Sequence, residues 1–304
     1  MLGRAVLLKL ADSPRVERVV RRNKMSAALV RRFVAGETLE QTAQAVRALN
    51  AQGLSATLDY LGENVHSSEQ AAECADRVCD TLRFIGRESL RSGVSVKLTQ
   101  LGLDISDEIC ERHTRRIVDL AADLKRFVRI DMEGSPYTQR TLDLFCRLLP
   151  DHPNVGIVLQ SYLRRTDADL ERLIDLGASV RLVKGAYQEP PEIAYPSKRD
   201  VDAAYLAQMK RLLDRGRQPA IATHDERIVQ ATRAYARERN RSVDEFEFQM
   251  LFGIRRDLQN ALVHAGYRVR IYTPFGSEWY GYTMRRLAER PANLWFVMKN
   301  LLRS

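Results

Sequence analysis

The stretch Ser179-Val-Arg-Leu-Val-Lys-Gly-Ala-Tyr187 predicts a buried strand that ends in polar and charged residues. Its apolar run is typical of a strand. The residues at its end are not typical of a packed apolar core. They are Arg181, Lys184, Gly185 and Tyr187. Runs of similar character recur along the chain with helix-like segments between them. The fold is therefore decided by whether all these strand ends meet at one place.

Eight strand-then-helix units extend along the chain on both sides of this stretch. The strands are predicted over Leu54–Leu61, Gly93–Leu98, Phe127–Asp131, Val155–Gln160, Ser179–Tyr187, Ala220–Thr223, Phe246–Met250 and Tyr267–Tyr272. The helices are predicted to begin near residues that are mostly good helix caps, namely Ser67, Ser106, Ser135, Thr166, Ser197, Asp225, Arg255 and Ser277. The number and spacing of the units match a (β/α)8 barrel, which typically has about 250 residues.

The predicted fold is therefore α/β, of the TIM-barrel type. A doubly wound open sheet is the second candidate. Against it, no GxGxxG motif follows the first predicted strand. Polar residues also stand at the ends of nearly every strand, as a closed barrel with one catalytic face requires.

An N-terminal arm is predicted before the barrel. From Pro14 to about Asn50 the pattern is helical and rich in arginine. Thr38 follows a break at Gly36 and is the expected N-cap of a helix over Leu39–Ala51. We expect residues 1–50 to form the helical arm and residues 51–304 to form the catalytic barrel.

The composition is that of a globular, soluble protein. The chain has 304 residues, and 45% of them are hydrophobic, which supports a large buried core. No apolar run approaches the roughly 20 residues of a membrane-spanning helix, and no signal peptide is recognisable. The four cysteines lack CxxC spacing and the five histidines lack a metal-ligand pattern. We expect reduced thiols, no bound metal and a cytoplasmic location.

The net charge of +9 suits nucleic acid, an anionic membrane face or anionic ligands. The arginines, however, are spread among the helices together with 39 acidic residues, which is the pattern of a solvated surface. No zinc finger, RNP-type motif or basic region is present. Nucleic-acid binding is therefore not expected.

A barrel would bring the polar strand ends together around one mouth. They are Asp59, Lys97, Asp131, Gln160, Arg181, Lys184, Tyr187, Thr223, His224, Gln249 and Tyr272. Each alone has an ordinary structural explanation, such as a satisfied histidine or a lysine that snorkels to solvent. Together, the positive charges of Lys97, Arg181 and Lys184 predict an anionic ligand.

The C-terminal segment adds two adjacent arginines, Arg285 and Arg286, with Glu289 four residues after the first. A fork of two guanidinium groups is well suited to a carboxylate. The alternative is an arginine pair on the surface with an i,i+4 salt bridge. The local sequence leaves both open.

The chain resembles the catalytic domain of the proline dehydrogenase family, in its short monofunctional form. The resemblance covers nearly all of the chain. It is carried by Asp-Tyr-Leu-Gly-Glu63, Val-Lys-Leu98, Arg-Ile-Asp-Met-Glu133, Arg-Leu-Val-Lys-Gly-Ala-Tyr187, Ala-Thr-His224, Phe-Gln-Met-Leu-Phe-Gly253 and Tyr-Thr-Met-Arg-Arg-Leu-Ala-Glu-Arg-Pro-Ala-Asn293. It implies a distorted barrel that holds FAD, with a last helix over the barrel mouth.

The resemblance also implies a role for each matching residue. Arg285, Arg286 and Lys97 would bind the carboxylate of proline, while Tyr272 and Leu251 border its ring. Asp131 and Tyr187 would shape and close the pocket. Arg181 and Gln160 would contact the flavin ring, and further cofactor-binding or supporting positions would be Met132, Lys184, Gly185, Thr223, His224 and Glu289. The residues expected to carry catalysis are Lys97, Asp131, Arg181, Tyr187, Tyr272, Arg285 and Arg286.

The implied reaction is the oxidation of L-proline to Δ1-pyrroline-5-carboxylate, the first step of proline catabolism to glutamate. The electrons would pass to a quinone, and a basic surface would suit peripheral contact with the inner face of the membrane. Because the sequence ends after the last predicted helix, we expect a separate pyrroline-5-carboxylate dehydrogenase downstream. Water is the expected acceptor of the amine proton.

Two alternatives belong to other functional classes. One is a Schiff-base aldolase on the same barrel, with Lys184 or Lys97 as the nucleophile and no flavin. The other is a basic nucleic-acid-binding module, whose affinity would fall steeply with salt. Neither explains the set of polar strand ends as well as a proline-oxidising flavoenzyme does.

The arginine fork gives a first prediction. The substitutions Arg285→Ala and Arg286→Ala should each raise the KM for proline, because each removes a charge-assisted hydrogen bond to the proline carboxylate of about 1.5 to 3 kcal/mol. Bound flavin should stay at the wild-type level. Steady-state kinetics and the flavin absorbance of the purified variants measure both quantities. An unchanged KM in both variants would contradict the carboxylate assignment.

Overall fold

The computed structural model describes residues 33–62, 65–280 and 282, and eight parallel strands close a barrel within them. The strands follow one another around the barrel in chain order, and the last pairs with the first. They are β1 (Ser55–Tyr60), β2 (Ser92–Val96), β3 (Val128–Ile130), β4 (Val155–Gln160), β5 (Ser179–Val183), β6 (Arg217–Ala222), β7 (Glu247–Leu251) and β8 (Arg268–Phe275). The predicted α/β barrel is confirmed.

Helices connect the strands and cover the outside of the barrel. They are α1 (Leu39–Ala51), α2 (Ser68–Arg87), α3 (Asp107–Asp123), α4 (Ser135–Leu148), α5 (Thr166–Asp175), α6 (Lys198–Arg215), α7 (Glu226–Glu238) and α8 (Arg256–His264). The side chains of Ser67, Ser106, Ser197 and Asp225 accept hydrogen bonds from the first turns of their helices, as predicted. The helix predicted from Ser277 lies largely outside the described residues.

Several element boundaries differ from their predictions, and strand β5 ends at Val183 rather than at Tyr187. Strand β6 begins before Pro219 and β8 continues through Pro274, although proline lacks the N–H of a regular ladder. The first accommodates its proline with an irregular register against β5, and the second is held by its pairing with β1 as far as Phe275. Helix α2 was expected to continue to about Arg91 but ends at Arg87, because Ser89 just after it takes a left-handed conformation with φ of 51°.

Thr166 was predicted to cap a helix and does not. Helix α5 begins at Thr166 itself, and no side chain caps its start. The Thr166 hydroxyl instead donates to the backbone oxygen of Gln160, at 2.5 Å. The helix is thereby tied directly to the end of strand β4.

Helix α1 matches its prediction at both ends, and Thr38 caps it. Its residues Ala43, Val46 and Leu49 are buried in the same apolar cluster as the barrel strands. Residues 1–32 of the predicted arm lie outside the described residues. The division into an arm and a barrel therefore stays a prediction.

The interior of the barrel is polar, whereas the layer between strands and helices is apolar. Successive side chains of a strand point to opposite faces, so residues two apart share a face. Ile130, Val180 and Leu182 face outward and are completely buried against the surrounding helices. The residues between them face the barrel axis, and two of these are Arg129 and Arg181.

The lower part of this interior holds an ion-pair layer. Arg270 donates from Nε to Oε1 of Glu247 at 2.8 Å, and from Nη1 to the backbone oxygen of Ala56 at 3.0 Å. Arg129 donates from Nη1 to the backbone oxygen of Ser179 at 2.7 Å. Burial, with a contribution from Arg181, lowers the pKa of Arg129 to about 9.

A glycine makes room for this layer. A Cβ atom at Gly156 would lie 2.4 Å from Nη1 of Arg129 and 2.7 Å from the Phe127 ring. Both distances are shorter than real Cβ contacts, so any larger residue would displace the guanidinium group. The Arg129 guanidinium also stacks over the Phe127 ring, with 4.9 Å from Cζ to the ring centroid.

The described cysteines are all free thiols. Cys79 and Cys110 are buried, and Cys74 and Cys146 are half-buried. Among the helices of residues 33–62, 65–280 and 282, none is long and apolar enough to cross a membrane.

The lower layer predicts a pH-dependent stability. Burial would raise the pKa of Glu247, but Arg270 outweighs it and the pKa falls to about 2 from an ordinary 4.5. This stabilisation is complete above pH 4.5 and is lost as the pH falls toward 2. Replacing Glu247→Gln should lower the free energy of unfolding at pH 7 by about 3 to 5 kcal/mol. The difference in the free energy of unfolding between this variant and the wild type should become smaller below pH 4.5.

Urea unfolding followed by circular dichroism at several pH values measures this difference. Asp80→Asn is the matched control, because it removes an exposed ion pair with Arg83 that contributes about 0 to 1 kcal/mol. A difference between Glu247→Gln and wild type that stays constant from pH 7 to pH 3 would contradict the assignment.

Candidate active site

Two buried carboxylate–cation pairs stand at the carboxyl ends of the strands. Lys97 donates from Nζ to both oxygens of Asp59, at 2.9 and 3.0 Å. Arg181 donates from Nη1 to Oδ1 of Asp131 at 2.8 Å. Asp59 is 0% exposed and Arg181 is 4% exposed. Strands β1, β2, β3 and β5 therefore each contribute one charged group to the same end of the barrel.

Tyr272 of strand β8 joins these two pairs. Its hydroxyl donates to Oδ2 of Asp131 at 2.8 Å and accepts from Nζ of Lys97 at 3.4 Å. The Arg181 guanidinium lies over its ring, with 5.3 Å from Cζ to the centroid. Ser95 donates to Oδ1 of Asp131 at 2.7 Å and completes the network.

The electrostatics of the network keep Tyr272 a hydrogen-bond donor. Burial raises the pKa of its phenol well above the ordinary value of 10, and the carboxylates of Asp131 and Asp59 raise it further. Burial also raises the pKa of Asp59, against the opposing effect of Lys97. Tyr272 is therefore a neutral phenol at physiological pH, and its proton is committed to Asp131.

Each of the three predicted cations is paired with a carboxylate among the described residues, and the anionic ligand stays a prediction. Lys97 and Arg181 are each paired with an aspartate, as above. Lys184 donates to Asp202 at 2.5 Å and to Asp225 at 2.9 Å, and these two residues belong to the starts of helices α6 and α7. Asp59 and Asp131 were among the predicted strand-end residues, whereas Asp202 and Asp225 come from segments that the strand-end pattern did not include.

Arg181 nevertheless keeps unused hydrogen-bonding capacity. Its Nε and Nη2 atoms are buried and have no hydrogen-bond partner among the described residues. Buried donors in folded proteins are nearly always paired. The guanidinium group is therefore suited to a ligand with acceptor atoms.

Several predicted ligand-binding residues form hydrogen bonds with backbone groups around the barrel mouth. Gln160 donates from Nε2 to the backbone oxygen of Glu133 at 2.9 Å. His224 accepts at Nε2 from the backbone N–H of Leu251 at 2.9 Å, which requires a lone pair on that nitrogen. The Thr223 hydroxyl accepts from the backbone N–H of Asp225 at 3.1 Å. These bonds hold the mouth in shape.

Gly185 and Tyr187 lie on the segment that follows strand β5. Gly185 has φ of 111°, and a Cβ atom there would lie 2.2 Å from the Tyr162 ring, so only glycine fits. Tyr187 is 44% exposed. Met132 is buried in the main apolar cluster, and Leu251 is half-buried at the end of β7.

Arg285, Arg286 and Glu289 lie outside the described residues, as does the rest of the predicted last helix apart from its first turn. Their roles stay predictions. The two possibilities for the arginine pair, carboxylate fork or surface pair, both stay open.

The residues that support the site from below and beside it were not predicted from the sequence. Arg129, Glu247 and Arg270 are one strand period away from the strand ends. The two-residue alternation of β3, β7 and β8 would have placed them in the interior. Ser95 could have been found in the same way, and Glu133 was quoted within a motif without a role.

Comparisons with known proteins bear on the function of the chain. A family profile described as proline dehydrogenase matches residues 42–299. The chain belongs to the proline dehydrogenase family. Proline is therefore its substrate, and proline oxidation in proline catabolism is its reaction. These relatives do not support the aldolase or the nucleic-acid-binding alternative.

Two relatives are similar over nearly their whole length. Proline dehydrogenase 1 of Bacillus subtilis subsp. natto is 41% identical over 273 residues, which is 90% of each chain. Proline dehydrogenase of Deinococcus radiodurans is 40% identical over 307 residues, covering 99% of this chain and 98% of the relative.

A solved structure has the same barrel. Proline utilization A (PutA) of Bdellovibrio bacteriovorus, inactivated by N-propargylglycine, superposes with a TM-score of 0.81 at 28% identity. The match covers 86% of this chain and 32% of the PutA chain. The chain thus spans about a third of the length of that protein.

The Tyr272 network predicts two separable effects of substitution. Tyr272→Phe removes the hydroxyl bound to Asp131 but keeps the ring, so kcat/KM for proline should fall about tenfold or more through loss of a charge-assisted hydrogen bond. Tyr272→Ser removes the ring as well. If the ring borders the substrate, the serine variant should also gain relative activity on trans-4-hydroxyproline, by roughly 10- to 200-fold at most.

The measurement is the ratio of kcat/KM for proline over trans-4-hydroxyproline in wild type and both variants. The phenylalanine variant is the internal control, because it should keep the wild-type ratio. An equal ratio in all three proteins would remove Tyr272 from the substrate pocket.

Proposed function

We propose that the chain oxidises L-proline to Δ1-pyrroline-5-carboxylate with FAD as cofactor and passes the electrons to a quinone. The observation that carries the proposal is the Arg181 guanidinium, which is buried in the mouth network with two unpartnered donor atoms. Membership in the proline dehydrogenase family supplies the substrate.

The residues present fit a flavin. Arg181 offers buried positive charge and two donor atoms that have no partner among the described residues. Arg181 and Gln160 would hold the ring, and further binding or supporting positions would be Met132, Lys184, Gly185, Thr223, His224 and Glu289. FAD, when bound, supplies the acceptor for the hydride that leaves C5 of proline.

The residues around the substrate would have separate tasks. Lys97, with Arg285 and Arg286, would hold the carboxylate, since cations are suited to that group. Tyr272 and Leu251 would border the ring, and Tyr187 would close the pocket. Asp131 orients both Arg181 and Tyr272 through its two oxygens. The substrate loses a hydride from C5 and a proton from nitrogen, and a C5–N double bond forms.

Water would accept the proton from the amine. The carboxylates described at the mouth are already engaged. Both oxygens of Asp59 accept from Lys97, and the oxygens of Asp131 accept from Ser95, Arg181 and Tyr272. Each of these carboxylates would have to give up a hydrogen bond before it could accept the proton.

The partners follow from the same proposal. A quinone would reoxidise the enzyme, and the net charge of +9 would favour contact with an anionic membrane face. A separate pyrroline-5-carboxylate dehydrogenase would consume the product. The expected location is the cytoplasm, at the inner face of the membrane.

The absorbance spectrum tests the proposal. The purified protein should show a flavin band that is bleached by L-proline and restored by a soluble quinone. Arg181→Met should lower the flavin reduction potential, because it removes the positive charge beside the ring. The variant should also be reduced more slowly.

The outcomes separate the alternatives. Purified protein without a flavin band, and with a lysine trapped by borohydride in the presence of a carbonyl compound, would favour the aldolase. A bleached band that only oxygen restores would contradict the quinone. An unchanged potential in Arg181→Met would contradict the placement of this residue beside the flavin.

A further inference from the structure

A belt of buried side chains links the carboxyl ends of the first four strands. Gln100 donates from Nε2 to the backbone oxygens of Tyr60 and Gly62, at 3.2 and 2.8 Å. Glu133 accepts from Thr99, and Gln160 donates to the backbone oxygen of Glu133. The belt therefore connects the ends of β1, β2, β3 and β4 beyond their regular pairing.

Glu133 is the central residue of this belt. Its Oε1 accepts from the Thr99 hydroxyl at 2.7 Å, and its Oε2 accepts from the Thr99 backbone N–H at 3.2 Å. The residue is only 8% exposed. Both carboxylate oxygens of Glu133 therefore accept hydrogen bonds from one residue, Thr99, which lies just beyond the end of the neighbouring strand β2.

Thr99 and Glu133 are each close in sequence to a residue of the network around Tyr272. Thr99 follows Lys97 by two residues, and Glu133 follows Asp131 by two residues. Thr99 also opens a short 3-10 turn, Thr99–Leu101, directly after β2. A bond between Glu133 and Thr99 therefore restrains the segment from which the Lys97 side chain projects.

The belt is not needed to join the strands. The backbone N–H of Asp131 already donates to the backbone oxygen of Val96 at 2.9 Å. Burial raises the pKa of Glu133, and the bonds from Thr99 oppose this effect. An ionisable group is costly at such a position, where an apolar residue would leave the strand pairing intact. The carboxylate therefore has a task other than holding the sheet together.

We propose that Glu133 is a positioning residue for Lys97. Its carboxylate clamps Thr99 and so fixes the end of β2 in the geometry in which the Lys97 ammonium group meets the substrate carboxylate. The inference rests on the proposed role of Lys97 in binding proline. Glu133 itself does not touch the reacting atoms.

The first test removes one bond of the clamp without changing volume. Thr99→Val deletes the hydroxyl that donates to Glu133, and it should raise the KM for proline about five- to tenfold, as expected for the loss of one hydrogen bond of average strength. Thr99→Ser keeps the hydroxyl and should stay within about twofold of wild type. The flavin content and kcat of both variants should be close to wild type.

Thr141→Val is the matched control. Thr141 is fully buried in helix α4, and its hydroxyl has no hydrogen-bond partner among the described residues. The same chemical change should therefore leave the KM for proline unchanged. Equal KM values in Thr99→Val and Thr141→Val would overturn the proposal.

Glu133→Gln separates geometry from charge. The amide can accept from the Thr99 N–H with its oxygen and donate to the Thr99 hydroxyl with its nitrogen. A clamp that works by geometry predicts a KM within about threefold of wild type. A rise in KM as large as that of Thr99→Val would overturn the clamp in favour of a direct effect of the charge.

A double-mutant cycle with Lys97→Met identifies the route of the effect. If Thr99 acts through Lys97, then Thr99→Val/Lys97→Met should have the same KM as Lys97→Met alone. Additive effects would overturn the proposal. If Lys97→Met leaves the KM for proline unchanged, Lys97 does not bind the substrate carboxylate, and the proposed function is contradicted at this residue. If Lys97→Met raises the KM and Thr99→Val does not, only the clamp is contradicted.

Discussion

The structure depends on the burial of charge inside a closed barrel. A carboxylate removed from water is stable only when it is paired and hydrogen-bonded. Asp131 meets this condition with three donors, which come from Ser95 of β2, Arg181 of β5 and Tyr272 of β8. One carboxylate thus holds three strands in a fixed relation at the mouth. The strands position these side chains, and the hydrogen bonds between the side chains in turn help to fix the register of the strands.

The two polar layers differ in how completely they are satisfied. In the lower layer, Glu247 and Arg270 pair with each other, and the pKa of Glu247 is low in consequence. In the upper layer, Arg181 has two donors without a partner among the described residues. The lower layer leaves one buried donor, Nε of Arg129, without a partner among the described residues. The upper layer therefore has the larger unused donor capacity, which suits a ligand with acceptor atoms.

The sequence allowed the barrel to be predicted because each unit carries its own local signals. Strand β4 and helix α1 match their predicted ranges, since apolar alternation and capping residues act over a few positions. The pairings at the mouth were not predictable in this way. Tyr272 and Asp131 are 141 residues apart, and only barrel closure brings them together. The same reason explains why the carboxylate partners of Lys184, on two later helices, were missed.

The type of a polar side chain at a strand end does not by itself show whether the residue contacts a ligand or positions a neighbouring segment. Gln160 and His224 were both predicted at the cofactor, and each makes a hydrogen bond to the backbone of the next strand end. Such bonds lie beyond the last ladder pairs of β3–β4 and β6–β7, where the sheet itself no longer restrains the chain. A barrel that builds its site on strand ends must restrain those ends by side chains. Polar residues at the mouth are therefore more numerous than the ligands require, and geometry is needed to assign each one.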